Sequence, residues 1–310
     1  MADVVGVGLA MCDILIETDS FPRADTKTSV RGAHFQCGGP APTALTAISR
    51  LGLTTEAFGA VGDDTNGDFI VRDLAALGVE SGKIRQIPGT SSPLALVVLN
   101  KGRSTRTSFV SMGSAIAYSD ESCVDLQALR QAKALHLDGN LFKTALFAAQ
   151  SAKAAGVLVS YDAGRLFPGA EQLLALSDVL VPSEQFALAF TGESSAEKAA
   201  AKLQAAFRPS VLAVTQGERG GFLWTEGAAR RYPVFPVKAL DTNGAGDVFH
   251  GAFLAALLLG KEPYDAACFA SAAAAIKCTR VGSQRVVPSY EEVSALLSAG
   301  GGQIVACDLE

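Results

Sequence analysis

The sequence predicts an α/β fold of the doubly wound kind, a mostly parallel sheet with helices on both faces, together with a small β-sheet lid. Three observations predict it. Short β-branched runs alternate with Ala/Leu-rich helical stretches along most of the 310 residues. The strand-length runs are apolar throughout, as strands buried on both faces are. Two segments, 14–35 and 94–112, break that rhythm with a polar and an alternating pattern.

The N-terminal elements follow in order. Val4 to Leu9 reads as a strand, Pro42 to Leu51 as a helix, Thr55 to Val61 as a strand and Gly67 to Leu77 as a helix. The same order resumes with strand Ala134 to Leu137, helix Lys143 to Ala155, and strands Val157 to Tyr161, Asp178 to Val181 and Val211 to Thr215. Segment 14–35 is too polar for a core element. Leu94 to Met112 alternates around an Asn100-Lys101-Gly102 turn, as a hairpin does. Residues 1–13, 36–93 and 113–310 are therefore expected to form the α/β body, and 14–35 with 94–112 the lid. The C-terminal third shows two long helical patterns, Ala245 to Leu259 and Tyr264 to Cys278, which leave little room for strands. Gly300-Gly301-Gly302 reads as a flexible tail, and there are no internal repeats.

Composition excludes several function classes. A hydrophobic content of 49% with 18% charged residues suits a large buried core and not a disordered chain. The net charge of −5, with no run of five Lys or Arg, speaks against a nucleic-acid partner. The start Met1-Ala2-Asp3-Val4-Val5 lacks a basic leader, and no apolar run reaches membrane-spanning length, so no membrane partner and a cytoplasmic location are expected. Six scattered cysteines form no C-x-x-C pair, which points to reduced thiols. His34, His136 and His250 stand in no zinc or triad context.

The strongest chemical signal is Asp241-Thr242-Asn243-Gly244-Ala245-Gly246-Asp247, followed at once by an apolar helical run. Small residues at Gly244, Ala245 and Gly246 let backbone N–H groups at a helix N-terminus close around an anion, with the helix dipole adding to the attraction. Asp247, in the first turn, can accept a proton from an attacking hydroxyl at the same spot. The plainer reading makes Asp247 a helix-start residue and the glycines a tight turn. A second glycine-rich element, Cys37-Gly38-Gly39-Pro40-Ala41-Pro42-Thr43, opens the helix that ends near Leu51, and serves either close approach to a ligand or a hinge. Phe58 to Gly67 is a strand followed by a Gly/Asp turn. Gly6-Val7-Gly8 imitates a dinucleotide fingerprint, but Met11 stands where its third glycine belongs.

These two elements, in this order and about 200 residues apart, resemble the two signatures of the ribokinase-like (PfkB) carbohydrate kinases: Gly38 through Gly67 the first, Asp241 through Ala252 the second. The resemblance covers nearly the whole chain. It implies a ribokinase-like fold and ATP-dependent phosphoryl transfer to a sugar hydroxyl with Mg²⁺, with Asp247 as base and Gly244, Ala245 and Gly246 as anion cradle. It further implies substrate contacts from Asp13, Gly38, Gly39, Thr43 and Asp138. A nucleotide turn is implied at Thr215, Gly217 and Gly220, and an adenine border at Ser271 and Gly282. Thr43 stands where the family often has Asn. Val181-Pro182-Ser183-Glu184 is a variant of the family's N-x-x-E motif; it implies nucleotide contact at Ser183 and organisation of Mg²⁺ through water at Glu184, and it resembles the ketohexokinase and fructokinase side of the family. Asp241 and Asn243 are implied as ligands of a monovalent cation such as K⁺.

Pro40 replaces the lysine common in relatives that act on phosphorylated sugars, so an unphosphorylated acceptor is expected, a ketohexose or a sugar acid. The alternatives are a nucleoside acceptor, or a catalytically idle relative that binds a ligand or protein through the same fold. The resemblance also implies a homodimer through the lid, with Lys101 and Arg103 among the lid charges. Arg103 and Arg106 read as solvated charge or as contacts to an anionic substrate.

Overall fold

In the computed structural model the described residues are 1–304 apart from 31, 101, 103–104 and 226–227. Lys101 and Arg103, named above, lie outside them, as do Cys307, one of the six cysteines, and the side chain of Arg106.

Nine strands form the main sheet. Seven of them are parallel and lie in the spatial order Val79–Glu80, Thr55–Phe58, Val4–Val7, Ala134–Leu137, Leu158–Ala163, Val179–Pro182 and Val211–Thr215. Each apolar run divides its side chains between two cores, because successive residues of a strand point to opposite faces. Val4, Ala134, Val179 and Ala213 pack with helices Pro40–Arg50, Ala245–Leu258 and Pro263–Cys278 on one face. Val5, Leu135, Leu180 and Leu212 pack with Phe142–Ala155, Ala170–Leu176 and Ala196–Phe207 on the other. The doubly wound expectation is met for that reason.

Three expectations need correction. The C-terminal third does hold strands: Gly221–Thr225 and Ala228–Tyr232 extend the sheet antiparallel beyond Val211–Thr215. Only Ala228–Tyr232 lies at the edge, and its exposed Ala229 and Arg230 hide the apolar signal; Gly221–Thr225 is paired on both sides, with Phe222 and Leu223 buried, and is short for an apolar run. The run Thr55 to Val61 is two strands, since Ala60–Gly62 leaves the main sheet at Gly59 to pair with Arg85–Ile87. The glycine tail is tied down as well: Gln303 and Val234 exchange backbone hydrogen bonds of 2.9 and 2.7 Å.

The small separate sheet has the order Ala33–Gly38, Met11–Thr18, Leu94–Asn100, Thr105–Ser111. Its outer pairings are antiparallel and the central one parallel, with Asn100 opposite Thr105 in the expected hairpin. The strands reach beyond 14–35 at both ends, to Met11 and to Gly38, and so carry Asp13 and Gly38 within the small sheet. In register, Phe35, Ile14, Leu96 and Phe109 form one row across it, and the end residues Phe35 and Phe109 are more than half exposed. No helix among the described residues is long and apolar enough to cross a membrane.

Candidate active site

Parallel α/β sheets present ligand sites outside the carboxyl ends of their strands. Four neighbouring strands deliver Asp138, Asp162, Ser183 and Thr215 to that edge in order. Three interstrand steps of about 4.8 Å separate Asp138 from Thr215 by about 14 Å, the scale of a nucleotide's phosphate chain and sugar. The parallel bridge between Ser183 and Thr215 holds two of the expected nucleotide residues side by side.

At one end stands the N-terminus of helix Ala245–Leu258. Gly244 precedes it with φ of +75°, and a Cβ there would meet Ser283 at 2.8 Å. Gly246 faces open space, with nothing within 4 Å of an added Cβ, so its smallness serves no internal packing and leaves room for a ligand. The first-turn N–H groups point out of the helix end, where an anion is favoured. Asp247 is the acidic residue of that turn and is half-buried.

Asp13 faces the same region from the small sheet. It is 6% exposed, its Oδ1 lacks a hydrogen-bond partner, and burial raises its carboxyl to about 7, with the Gln36 amide opposing and the charge of Asp247 adding to the rise. The two carboxylates therefore sense each other. Gln36 continues the chain: its Nε2 donates to Ser283 Oγ at 2.9 Å. Gly38 is a glycine because a Cβ would lie 2.2 Å from Asp13 Oδ2. Gly39, at φ +106°, would place one 1.8 Å from the Leu9 carbonyl oxygen. Both glycines thus serve close approach where the small sheet runs into helix Pro40–Arg50. Thr43 is buried on the following helix and accepts from Gln284 Nε2 at 3.4 Å.

Asp138 is a brace as well as a candidate contact. Its Oδ2 accepts the N–H groups of Leu9 (3.0 Å) and Ala41 (3.2 Å), and Oδ1 that of Asn140 (2.9 Å). Three of its four or so acceptor positions are thus taken. Burial raises its carboxyl, those N–H groups opposing. Gly8 lies against it, where a Cβ would come within 2.3 Å of Oδ2, so the Gly6-Val7-Gly8 pattern has a packing cause.

Sequence reasoning missed Asp162. It is 6% exposed at the end of its strand, and burial first, then the charges of Asp247 and Asp138, raises it well above the ordinary carboxylate range. His250 Nε2, one turn beyond Asp247, sits 3.4 Å from Asp162 Oδ1; burial, with a smaller push from His136, lowers His250 to about 3 and so favours its neutral imidazole. The signal was available: Asp162 ends an apolar strand, where such sheets gather ligand groups.

The nucleotide half is ordered by its glycines. Thr215 ends its strand, and a turn follows in which Gly217 and Gly220 have φ of +59° and +78°. Ser183 caps helix Glu184–Thr191, accepting the Phe186 N–H at 3.1 Å. Glu184 is engaged by Gln216 Nε2 at 2.7 Å and by an ion pair with Arg219. Ser271 donates to the Pro233 carbonyl at 2.6 Å, a tie between helix and edge strand that uses its only proton. Gly282, at φ +104°, donates its N–H to Asp241 Oδ2 at 3.0 Å. Lys277, also missed, is fully buried and donates from Nζ to the Asp241 carbonyl at 2.7 Å. Among the described residues no three His, Cys, Asp or Glu gather into a metal cage.

With this geometry in place, comparison with known proteins gives a consistent result. The model of the pfkB family carbohydrate kinases matches residues 1–289. An ATP-dependent ribose-1-phosphate kinase of Halopiger xanaduensis is 30% identical over 301 residues, covering 96% of this chain and 99% of that one. A probable fructokinase-5 of Arabidopsis thaliana is 29% identical over 320 residues, covering 96% and 97%. Among solved structures, Arabidopsis thaliana ribokinase complexed with ribose and ATP superposes with a TM-score of 0.84 at 26% identity, over 96% of this chain and 98% of that one.

Proposed function

The chain belongs to the pfkB family of carbohydrate kinases, and on that footing we propose that it transfers the γ-phosphoryl group of ATP to a hydroxyl of an unphosphorylated sugar, a ketohexose or a sugar acid. The observation that carries the reading is the pairing of Asp247, at a helix N-terminus with open space beside Gly246, with the buried and electrically coupled Asp13. Asp13 accepts hydrogen bonds from the sugar and holds one hydroxyl near Asp247. Asp247 takes the proton of that hydroxyl as it attacks, and the N–H groups of the turn Gly244 to Asp247 stabilise the charge on the transferred group. Thr43, Gly38, Gly39 and the remaining acceptor position of Asp138 shape the sugar's side. Ser183, Thr215, Gly217, Gly220 and Gly282 border the nucleotide, and Ser271 supports that border through Pro233. Mg²⁺ enters with ATP and neutralises charge on its phosphates; Glu184 would assist through water.

An unphosphorylated acceptor is supported by Pro40, which stands where relatives acting on phosphorylated sugars commonly have a lysine. ADP release measured over sugars, sugar acids, nucleosides and ribose 1-phosphate tests the choice. The largest kcat/KM is expected with an unphosphorylated sugar. Preference for ribose 1-phosphate or for a nucleoside would overturn the acceptor, and no release with any acceptor would overturn the reading.

The small sheet is proposed to close over the bound sugar and exclude water from the phosphoryl group, and to pair with its copy in a second chain. The row Phe35, Ile14, Leu96 and Phe109 supports this, since its ends are exposed apolar surface. Light scattering at micromolar concentration is expected to give a dimer's mass, and a Phe109→Glu variant a monomer's. We place the enzyme in the cytoplasm, where MgATP is supplied and its thiols stay reduced.

A further inference from the structure

Lys277 lies one residue from the C-terminal end of helix Pro263–Cys278, with its side chain 0% exposed. A charge so placed requires compensation. The helix C-terminus supplies part of it. Asp241 supplies more: its carbonyl oxygen accepts from Lys277 Nζ at 2.7 Å, and its Oδ2, on a side chain 5% exposed, lies 3.9 Å away. The same helix end grips the segment a second time, for the Cys278 carbonyl accepts the N–H groups of Leu240 (2.8 Å) and Asp241 (3.2 Å).

Asp241 is the post on which two turns hang. Its Oδ1 accepts the Asn243 N–H at 2.8 Å, at the entry to Gly244–Asp247, and its Oδ2 accepts the Gly282 N–H at 3.0 Å. The aim of the anion cradle is therefore set by where Asp241 is held. Asp241 and Asn243 are the residues implied as ligands of K⁺, and at Asp241 the Lys277 ammonium already stands where that ion would bind, on the carbonyl oxygen and beside Oδ2. Both carboxylate oxygens accept backbone N–H groups and the carbonyl accepts an ammonium proton. A second cation beside a buried ammonium would face like-charge repulsion in a low-dielectric interior.

We propose that the Lys277 ammonium is a built-in monovalent cation. It stands at Asp241 in place of K⁺, acts as a positioning residue for the turn that aims the first N–H groups of helix Ala245–Leu258, and makes phosphoryl transfer independent of added K⁺. This rests on the phosphoryl-transfer reading, so its test includes a measurement that needs no turnover.

Initial rates and melting temperatures are compared in KCl, NaCl and tetramethylammonium chloride at equal ionic strength, for the wild-type chain, Lys277→Met and Lys277→Arg. Wild type and Lys277→Arg are expected to be indifferent to the cation in both measurements. Lys277→Met is expected to lose about 10²-fold in kcat/KM for ATP in NaCl, the size of a lost charge-stabilising contact. KCl should restore much of that loss and raise the variant's melting temperature above its value in NaCl. A wild-type rate or melting temperature that rises with K⁺ over Na⁺ would overturn the proposal, even where Lys277→Met fails to fold. So would a folded Lys277→Met that keeps its rate in NaCl or responds to no cation. Melting responses of the expected kind in a chain that phosphorylates nothing would leave the cation assignment standing and remove only the kinase reading.

Discussion

Replacement of Asp247 by asparagine is expected to lower kcat by about 10²- to 10⁴-fold, the usual range for loss of a positioned general base, while ATP binding measured by calorimetry stays largely intact. The amide keeps the size of the carboxylate but cannot take the hydroxyl's proton. Binding should survive because the anion is held by N–H groups of a helix start that Gly244 and Gly246 shape, and asparagine is tolerated in that first turn. Removal of a negative charge beside the phosphates should, if anything, favour the nucleotide. Retention of near wild-type kcat by Asp247→Asn would remove the assignment of the base.

The second large effect is at Asp13. Asp13→Ala is expected to raise KM for the sugar far more than KM for ATP, since a charged hydrogen bond contributes roughly 1.5–3 kcal/mol, or about tenfold to 150-fold in affinity. The pH dependence gives this its signature. Burial raises the carboxyl of Asp13 from its ordinary value to about 7 in the sugar-free protein. Below that pH it is mostly protonated and cannot serve as a double acceptor, so kcat/KM for the sugar should rise with pH up to about 7 and then level. Asp13→Asn should lose that limb. Stability has the opposite sign. A carboxyl whose folded pKa is raised stabilises fully below its unfolded value near 3.8 and loses that contribution as pH climbs through about 7. Asp13→Asn should therefore match or exceed the wild type in melting temperature at pH 8. Equal rises in both KM values, with a lower melting temperature at pH 8, would instead mark a folding role.

The sequence made the parts with a strong local cause legible. The apolar runs Val4 to Leu9 and Ala134 to Leu137 read as strands covered on both faces, the first ending at Val7, and the glycines before Asp247 read as opening a helix onto an anion or as a bare turn. What stayed hidden was held together across long stretches of chain. Asp13 reaches Ser283 through Gln36, and Lys277 meets Asp241, 36 residues away, inside the core. A lysine near the end of an Ala-rich helix looks like a solvated charge until the packing shows that no solvent reaches it. Asp138 was picked out as a substrate contact, and most of its acceptor capacity is spent on backbone N–H groups that only the fold brings near. The edge strand Ala228–Tyr232 stayed hidden because its exposed Ala229 and Arg230 carry no apolar pattern, and Gly221–Thr225 because five residues between two turns are too few to show a period.

The central claim is transfer of a phosphoryl group from ATP to a sugar hydroxyl at Asp247. Phosphorus NMR of a reaction run to completion with the best acceptor of the screen tests it most directly. Equal amounts of ADP and of one sugar phosphate monoester are predicted, with neither formed by Asp247→Asn on the same time scale. ADP accompanied by inorganic phosphate and no monoester, or the monoester formed by Asp247→Asn at the wild-type rate, would contradict it.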